Sequence, residues 1–302
     1  MPDRICQLPN GMEIAYQSSA EIEFFYKDIF EKQIYVQHGV QLSDGDCIFD
    51  VGANVGFFTL FAHQQAHGLK IYAFEPAPPL FEILSFNVAR HGVNARLFNC
   101  GISDRDDSVS FTFYPNSSGM SSFYADEEEE KTALRAIMQN QLQQGVAGMD
   151  QLMQYADDLI DERLKAHTYE CRLRTLSSII REEGIDVIDF LKIDVQKSEL
   201  DVLRGIEDED WSRIRQIVVE VHDINDRLRS MRTMLEQRGY EVAIEQDDHY
   251  QNSILYNLFA RRAEGFAAST QLDETSLHQM RERAKRQETA CRRTRIKSCN
   301  PV

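Results

Sequence analysis

Between Ile48 and Phe61 the chain reads as a short apolar strand, a glycine turn and the first turns of a helix. Ile48-Phe49-Asp50-Val51-Gly52-Ala53-Asn54-Val55-Gly56 is followed by Phe57, Phe58, Leu60 and Phe61, an apolar helical surface. Glycines at 52 and 56 let backbone pass close to a ligand and let a helix start against a sheet, its free N–H groups facing the crevice. Nineteen residues beyond Gly56, Ile71-Tyr72-Ala73-Phe74-Glu75 is a second strand that ends in a carboxylate. An acid at that place accepts hydrogen bonds from the two hydroxyls of a ribose.

The pair of signals calls for a nucleoside-containing ligand, and the first loop narrows the choice. A dinucleotide fingerprint needs a compact glycine path around a pyrophosphate, whereas this loop places Asp50 and Asn54 in that path. A carboxylate repels a diphosphate but suits a cationic amino group such as that of S-adenosylmethionine. A surface turn capped by Asp50 and a nicotinamide or flavin site are the competing readings.

The rest of the chain repeats the strand and helix alternation. Leu80 to Arg90 is a predicted helix, Ala95 to Cys100 a third strand, and Val187 to Val195 a buried strand ending at Asp194. A helix from Lys197 to Gly205, a strand from Ile214 to Val221, a helix from Asn225 to Arg238 and a strand from Tyr240 to Glu245 follow. Ser253 to Ala260 is expected as a last strand, antiparallel at the edge. This order predicts an α/β fold of the Rossmann-like type, a mostly parallel seven-stranded sheet with helices on both faces. Residues 1–45 form an N-terminal helical segment in which Ile22, Phe25 and Ile29 share a face, either packed on the core or acting as a lid. The main domain runs over 46–262, with a largely helical insertion at about 115–167 opened by the acidic run Asp126 to Glu130, expected as a solvated face. Residues 263–302 are a basic tail; from Met280 onward eight Arg or Lys stand against two Glu.

The formal net charge of −16 argues against a nucleic-acid partner. No apolar run reaches membrane-spanning length and the first ten residues lack a signal-peptide core, so a cytoplasmic protein is expected. Six cysteines, dispersed without C-x-x-C spacing, suggest neither a zinc knuckle nor a disulfide framework.

In three segments the chain resembles the FkbM family of S-adenosylmethionine-dependent methyltransferases. Ile48 to Gly56 is similar to its first cofactor motif, Ala73-Phe74-Glu75-Pro76 to its ribose-binding strand end, and Leu191-Lys192-Ile193-Asp194-Val195 to its fourth-strand motif. The family pattern continues after Asp-Val with Glu-Gly, where this chain has Gln196-Lys197. Glu220-Val221-His222-Asp223 resembles the branch that works beside polyketide and nonribosomal peptide assembly lines. The resemblance implies the methyltransferase fold of class I and O-methylation of a small hydroxylated acid or acyl unit, free or tethered to an acyl or peptidyl carrier protein. A sugar, nitrogen or carbon acceptor and a non-catalytic cofactor-binding assembly protein are the alternatives, and oligomerisation is left open.

Residue roles follow as expectations. Asp50 meets the amino-acid part of the cofactor, Gly52 and Gly56 shape the turn, Asn54 adds a polar contact and Glu75 takes the ribose. Ser103 and Asp104, after the third strand, are candidates for the adenine. His222 has the intrinsic pKa suited to a general base, with Asp194 or Glu220 to orient it. The same three could instead hold a divalent cation such as magnesium. Lys192 and Lys197 are offered either to a substrate carboxylate or phosphopantetheine phosphate, or to Asp189 and Glu199. Tyr16, Tyr26 and Tyr35 are placed along the N-terminal wall of the cleft.

Overall fold

In a computed structural model, the chain opens with a hairpin, β1 (Ile5–Gln7) and β2 (Glu13–Ala15), before helix α1 (Ser19–Tyr26), which runs into a π-helical turn at Lys27–Glu31. The structure describes residues 2, 4–143, 145, 146, 148–247 and 253–262. The basic tail lies outside the described residues. The first βαβαβ passage is β3 (Cys47–Val51), α2 (Phe57–Gln65), β4 (Lys70–Phe74), α3 (Pro78–His91) and β5 (Ala95–Phe98). Two short strands follow, β6 (Gly101–Ile102) and β7 (Asp107–Phe113), then the insertion helices α4 (Glu127–Gln143), α5 (Met149–Leu152) and α6 (Ala156–Arg163). The second half comprises β8 (His167–Arg174), α7 (Leu176–Glu183), β9 (Ile188–Ile193), α8 (Glu199–Arg204), β10 (Ile214–His222), α9 (Arg227–Gln237), β11 (Tyr240–Glu245) and β12 (Leu255–Arg262).

Seven strands form the main sheet in the order β11-β12-β10-β9-β3-β4-β5, all in one direction except β12. The expected fold class is the observed one. One detail differs from the sequence reading. β12 does not lie at the edge: it inserts between β10 and β11, antiparallel to both, because Leu258, Phe259 and Ala260 are apolar on both faces and are buried there. β7 stands outside the main sheet and pairs antiparallel with β8, in a separate three-stranded sheet with β6.

Strand alternation sorts the side chains into two layers. Phe49, Leu191, Val219 and Val221 face α7, α8 and α9, whereas Ile48, Phe190 and Val218 face α2, α3 and the N-terminal segment. By the same parity Asp50, Lys192, Glu220 and His222 fall on the second face. Asp50 is in register with Lys192, and Lys192 with Val218, so polar residues of three adjacent strands meet under one layer. Buried Asn87 of α3 ties that layer together: its Nδ2 donates to the carbonyls of Ala15 (2.9 Å) and Val55 (2.8 Å), and its Oδ1 accepts from the Ala15 N–H (2.8 Å).

Candidate active site

At the carboxyl ends of β3, β4, β9 and β10 lies a cavity of about 910 Å³. This is the crevice where open α/β sheets take their ligands, and the volume is near the upper end for ligand pockets, roughly 300–1,000 Å³. Its floor is the glycine turn with Glu75, Asp194, Glu220 and His222; its walls include α1, the loop at 116–123 and α4.

Asp50 is fully buried beneath that floor and does not line the cavity. Its Oδ2 accepts from the Thr59 hydroxyl at 2.6 Å and its Oδ1 stands 3.1 Å from Lys192 Nζ. The ammonium of Lys192 also donates to the Gly52 carbonyl at 2.7 Å and lies 3.5 Å from Asp194 Oδ2. Tyr35 closes the group, donating its hydroxyl to the same Asp194 oxygen at 2.8 Å. Burial pulls the Lys192 ammonium down, but Asp50 and then Asp194 outweigh it, so its pKa stands above the usual lysine value. The expected direct contact of Asp50 with a ligand ammonium gives way to an indirect one: Asp50 fixes Lys192, and Lys192 fixes the carbonyl of the turn. Lys192 pairs with these acids, and Asp189 instead takes Arg215 at 2.6 Å.

The turn itself depends on backbone that side chains resist. Gly52 has φ +79°, and a Cβ there would fall 1.9 Å from the Asp194 carbonyl oxygen. Gly56 (φ +96°) precedes α2, and Asn54 between them is left-handed at φ 50°. The Asn54 N–H donates to Glu75 Oε2 at 2.9 Å while the Ala77 N–H donates to Oε1 at 2.9 Å. Two donors hold the Glu75 carboxylate at the strand end with its remaining lone pairs toward the cavity. Burial nevertheless pushes its carboxyl up to about 7, against the lowering by Ala77 and Asn54.

That value gives a pH prediction. The protonated form of Glu75 is favoured by the fold without ligand, so its contribution to stability is full below its unfolded value and is lost as pH rises through about 7. A ribose donating both hydroxyls to Glu75 would favour the carboxylate, and cofactor binding would then release this proton. S-adenosylmethionine affinity is therefore expected to rise about tenfold between pH 6 and pH 8. Calorimetry across this range checks it, and Glu75→Gln should bind weakly with a flat profile.

Ser103 and Asp104 are not brought to the cavity. The Ser103 N–H donates to the Arg174 carbonyl at 2.8 Å, which carries the chain into the small sheet, and Asp104 pairs with Arg105 at 3.0 Å. The residues just before them, Cys100, Gly101 and Ile102, line the cavity instead.

His222 and Glu220 both reach the cavity, but the carboxylate that orients His222 is neither Glu220 nor Asp194. Glu199, at the start of α8 and fully buried, places Oε1 2.7 Å from His222 Nδ1. Glu199 is itself held by the Lys197 N–H (3.0 Å) and by Arg227 Nη1 (2.8 Å). A proton on Nδ1 shared with Glu199 leaves Nε2 as the acceptor nitrogen. Among the described residues no three His, Cys, Asp or Glu side chains gather as a metal ligand set, so Asp194, Glu220 and His222 are not brought together as one. Glu199 escaped the sequence reading because its burial depends on strand β10, 23 residues away.

The acidic run is no simple solvated face. Glu130 is buried, and Lys197 Nζ lies 2.9 Å from both Glu129 and Glu130. Lys197 Nζ therefore takes the acidic run and not the Glu199 side chain as its partner. It has a left-handed backbone, φ 66°, at the position where the family pattern carries glycine. The 116–123 loop is pinned as well: Ser118 Oγ donates to Glu21 of α1 (2.9 Å), the Gly119 N–H donates to Glu21 (3.0 Å) and Ser122 Oγ donates to the Gln196 carbonyl (2.6 Å). Phe25 of α1 packs on Phe57 of α2 with ring centroids 5.5 Å apart, so the N-terminal segment is both core and cavity wall. Of the three tyrosines only Tyr35 lines the cavity.

Residues 50–242 match the model of the Methyltransferase FkbM domain. The chain belongs to the FkbM methyltransferase family. It is 42% identical over 259 residues to 31-O-demethyl-FK506 methyltransferase FkbM of Streptomyces tacrolimicus, covering 86% of this chain and 97% of that protein. It is 37% identical over 269 residues to AMB antimetabolite synthetase AmbE of Pseudomonas aeruginosa, covering 87% of this chain and 12% of that protein. Methyltransferase 1 of Beauveria bassiana is 32% identical over 245 residues, covering 80% of this chain and 90% of that protein. This FkbM-family chain is an S-adenosylmethionine-dependent methyltransferase with a small-molecule substrate. Its residues fit the cofactor: Glu75 waits at the strand end, and eight Asp or Glu against three Lys or Arg line the cavity, suiting a cationic ligand. Among the described residues no helix is long and apolar enough to cross a membrane.

Proposed function

We propose that this protein methylates a hydroxyl of a largely apolar small molecule in secondary metabolism, with His222 as the general base. The observation that carries the reading is the His222–Glu199 pair, 2.7 Å apart, with His222 on the cavity floor and Glu199 buried behind it. When bound, S-adenosylmethionine supplies a methyl carbon on a sulfonium, and the electron pair of the broken C–S bond stays with sulfur. His222 Nε2 takes the hydroxyl proton as the acceptor oxygen bonds to that carbon, and Glu199 stabilises the imidazolium. Glu75 holds the ribose, while Lys192, fixed by Asp50 and Asp194, keeps the glycine turn in place beneath the cofactor. Alignment in a walled cavity supplies much of the remaining rate.

Two features bear on the acceptor. Lys192 and Lys197 are both occupied by acids of this chain, which favours an uncharged group inside the cavity. Phe24, Met120, Leu134 and Ile137 give its walls apolar surface. The likeness to a 31-O-demethyl-FK506 methyltransferase supports an oxygen acceptor, and the likeness to an antimetabolite synthetase supports an assembly-line setting, with the acceptor free or on a carrier arm. Incubation with S-adenosylmethionine carrying a ¹³C methyl group, followed by NMR of the product, tests the reading. The label is expected on oxygen, and label on nitrogen or carbon overturns it.

A further inference from the structure

Glu220 is not used in the mechanism above, although it lines the cavity. It precedes His222 by two residues on β10, so both side chains leave the sheet on one face. Among the described residues its carboxyl makes no side-chain hydrogen bond and no ion pair. The cation closest in the network, Lys192, is already shared by Asp50, Asp194 and the Gly52 carbonyl, and Asp194 is further occupied by Tyr35. Burial first, and then the charge of Asp194, push the Glu220 carboxyl well above its ordinary value, with Lys192 opposing and Glu199 and Asp28 adding to the rise. A carboxylic acid that keeps its proton offers one O–H donor and one carbonyl acceptor. A neutral hydroxyl satisfies both, whereas a carbonyl oxygen meets only the donor and an ammonium only the acceptor.

Residues two apart on a strand are separated by about 6.7 Å along the backbone. One hydrogen bond of about 2.8 Å from each side chain brings their partners together within one small functional group. We propose that Glu220 is a specificity residue that holds a second neutral oxygen on the carbon next to the methylated hydroxyl. This rests on the reading of His222 as the base for a hydroxyl acceptor.

Three probes on one scaffold test it with the full-length protein: 1-phenylethane-1,2-diol, 2-phenylethanol and 2-amino-2-phenylethanol, with release of S-adenosylhomocysteine followed. The diol is expected to exceed the mono-alcohol about tenfold in kcat/KM, the size of one well-placed hydrogen bond. The amino alcohol should gain nothing over the mono-alcohol. Glu220→Ala should bring the diol preference close to one, and Glu220→Gln, which keeps a donor and an acceptor, should retain most of it. No diol preference in the parent, a preference that survives Glu220→Ala, or its loss in Glu220→Gln each overturns the proposal. A preference for the amino alcohol would do so too, by showing a carboxylate at work. If no probe is methylated, saturation-transfer NMR on protein loaded with S-adenosylhomocysteine decides. Diol binding stronger than mono-alcohol binding and lost in Glu220→Ala upholds Glu220 while the methyl-transfer reading fails. Equal or absent binding overturns the role of Glu220.

Discussion

Replacing His222 by alanine is expected to lower kcat by about 10²- to 10⁴-fold, the usual worth of a positioned general base. S-adenosylmethionine affinity should stay close to the parent value, because His222 ends β10 whereas Glu75 follows β4, three strands away in the sheet. Glu199→Gln separates orientation from proton transfer. The amide can still meet Nδ1, but it can either accept from Nδ1–H or donate to a bare Nδ1, so Nε2 is no longer reliably the free base. A smaller loss in kcat, with KM little changed, is therefore expected for Glu199→Gln. The measurement is a pH–rate profile with a genuine acceptor. Full turnover of His222→Ala across the profile would remove the base from this mechanism.

The second large effect falls on stability. Lys192→Met is expected to cost about 3–5 kcal/mol, the range for breaking one side of a buried ion pair. Lys192 is 3% and Asp50 0% exposed, so the methionine variant leaves the Asp50 carboxylate buried with only the Thr59 hydroxyl to meet it. Adding Asp50→Asn removes the stranded charge and should recover a large part of the loss. Urea unfolding of the two variants and the parent reads both numbers. Equal stability of Lys192→Met and the parent would show that the network is not holding the turn.

The cavity floor was legible in the sequence because its signals are local. Gly52, Gly56 and Glu75 sit at strand ends, and strand periodicity alone assigns them to one rim. Asp50 was legible as the strand end before the glycine turn, but its place beneath the cavity was not, since the sequence does not say that β9 places Lys192 in register beside it. Ser103 and Asp104 failed for a similar reason: the backbone turns away through a bond to Arg174, a partner far along the chain. The acceptor side was the least legible. Glu21 meets Ser118 across 97 residues and Lys197 meets Glu129 across 68, and neither contact leaves a periodic trace. His222 could be named from its chemistry, whereas Glu199 required the packed α8–β10 contact to become visible.

Lys197 carries one more consequence. A left-handed backbone costs a residue with a side chain about 1–2 kcal/mol, and glycine escapes that cost. Here the lysine keeps the conformation at φ 66° and its Nζ meets Glu129 and Glu130 at 2.9 Å each. The offset exists only where α4 supplies those acids. A chain lacking that helix would bear the strain with nothing in return, and shortening α4 now leaves the lysine without its partners. What looks in the sequence like a lapse from a family pattern is a dependence between two segments that must change as a pair.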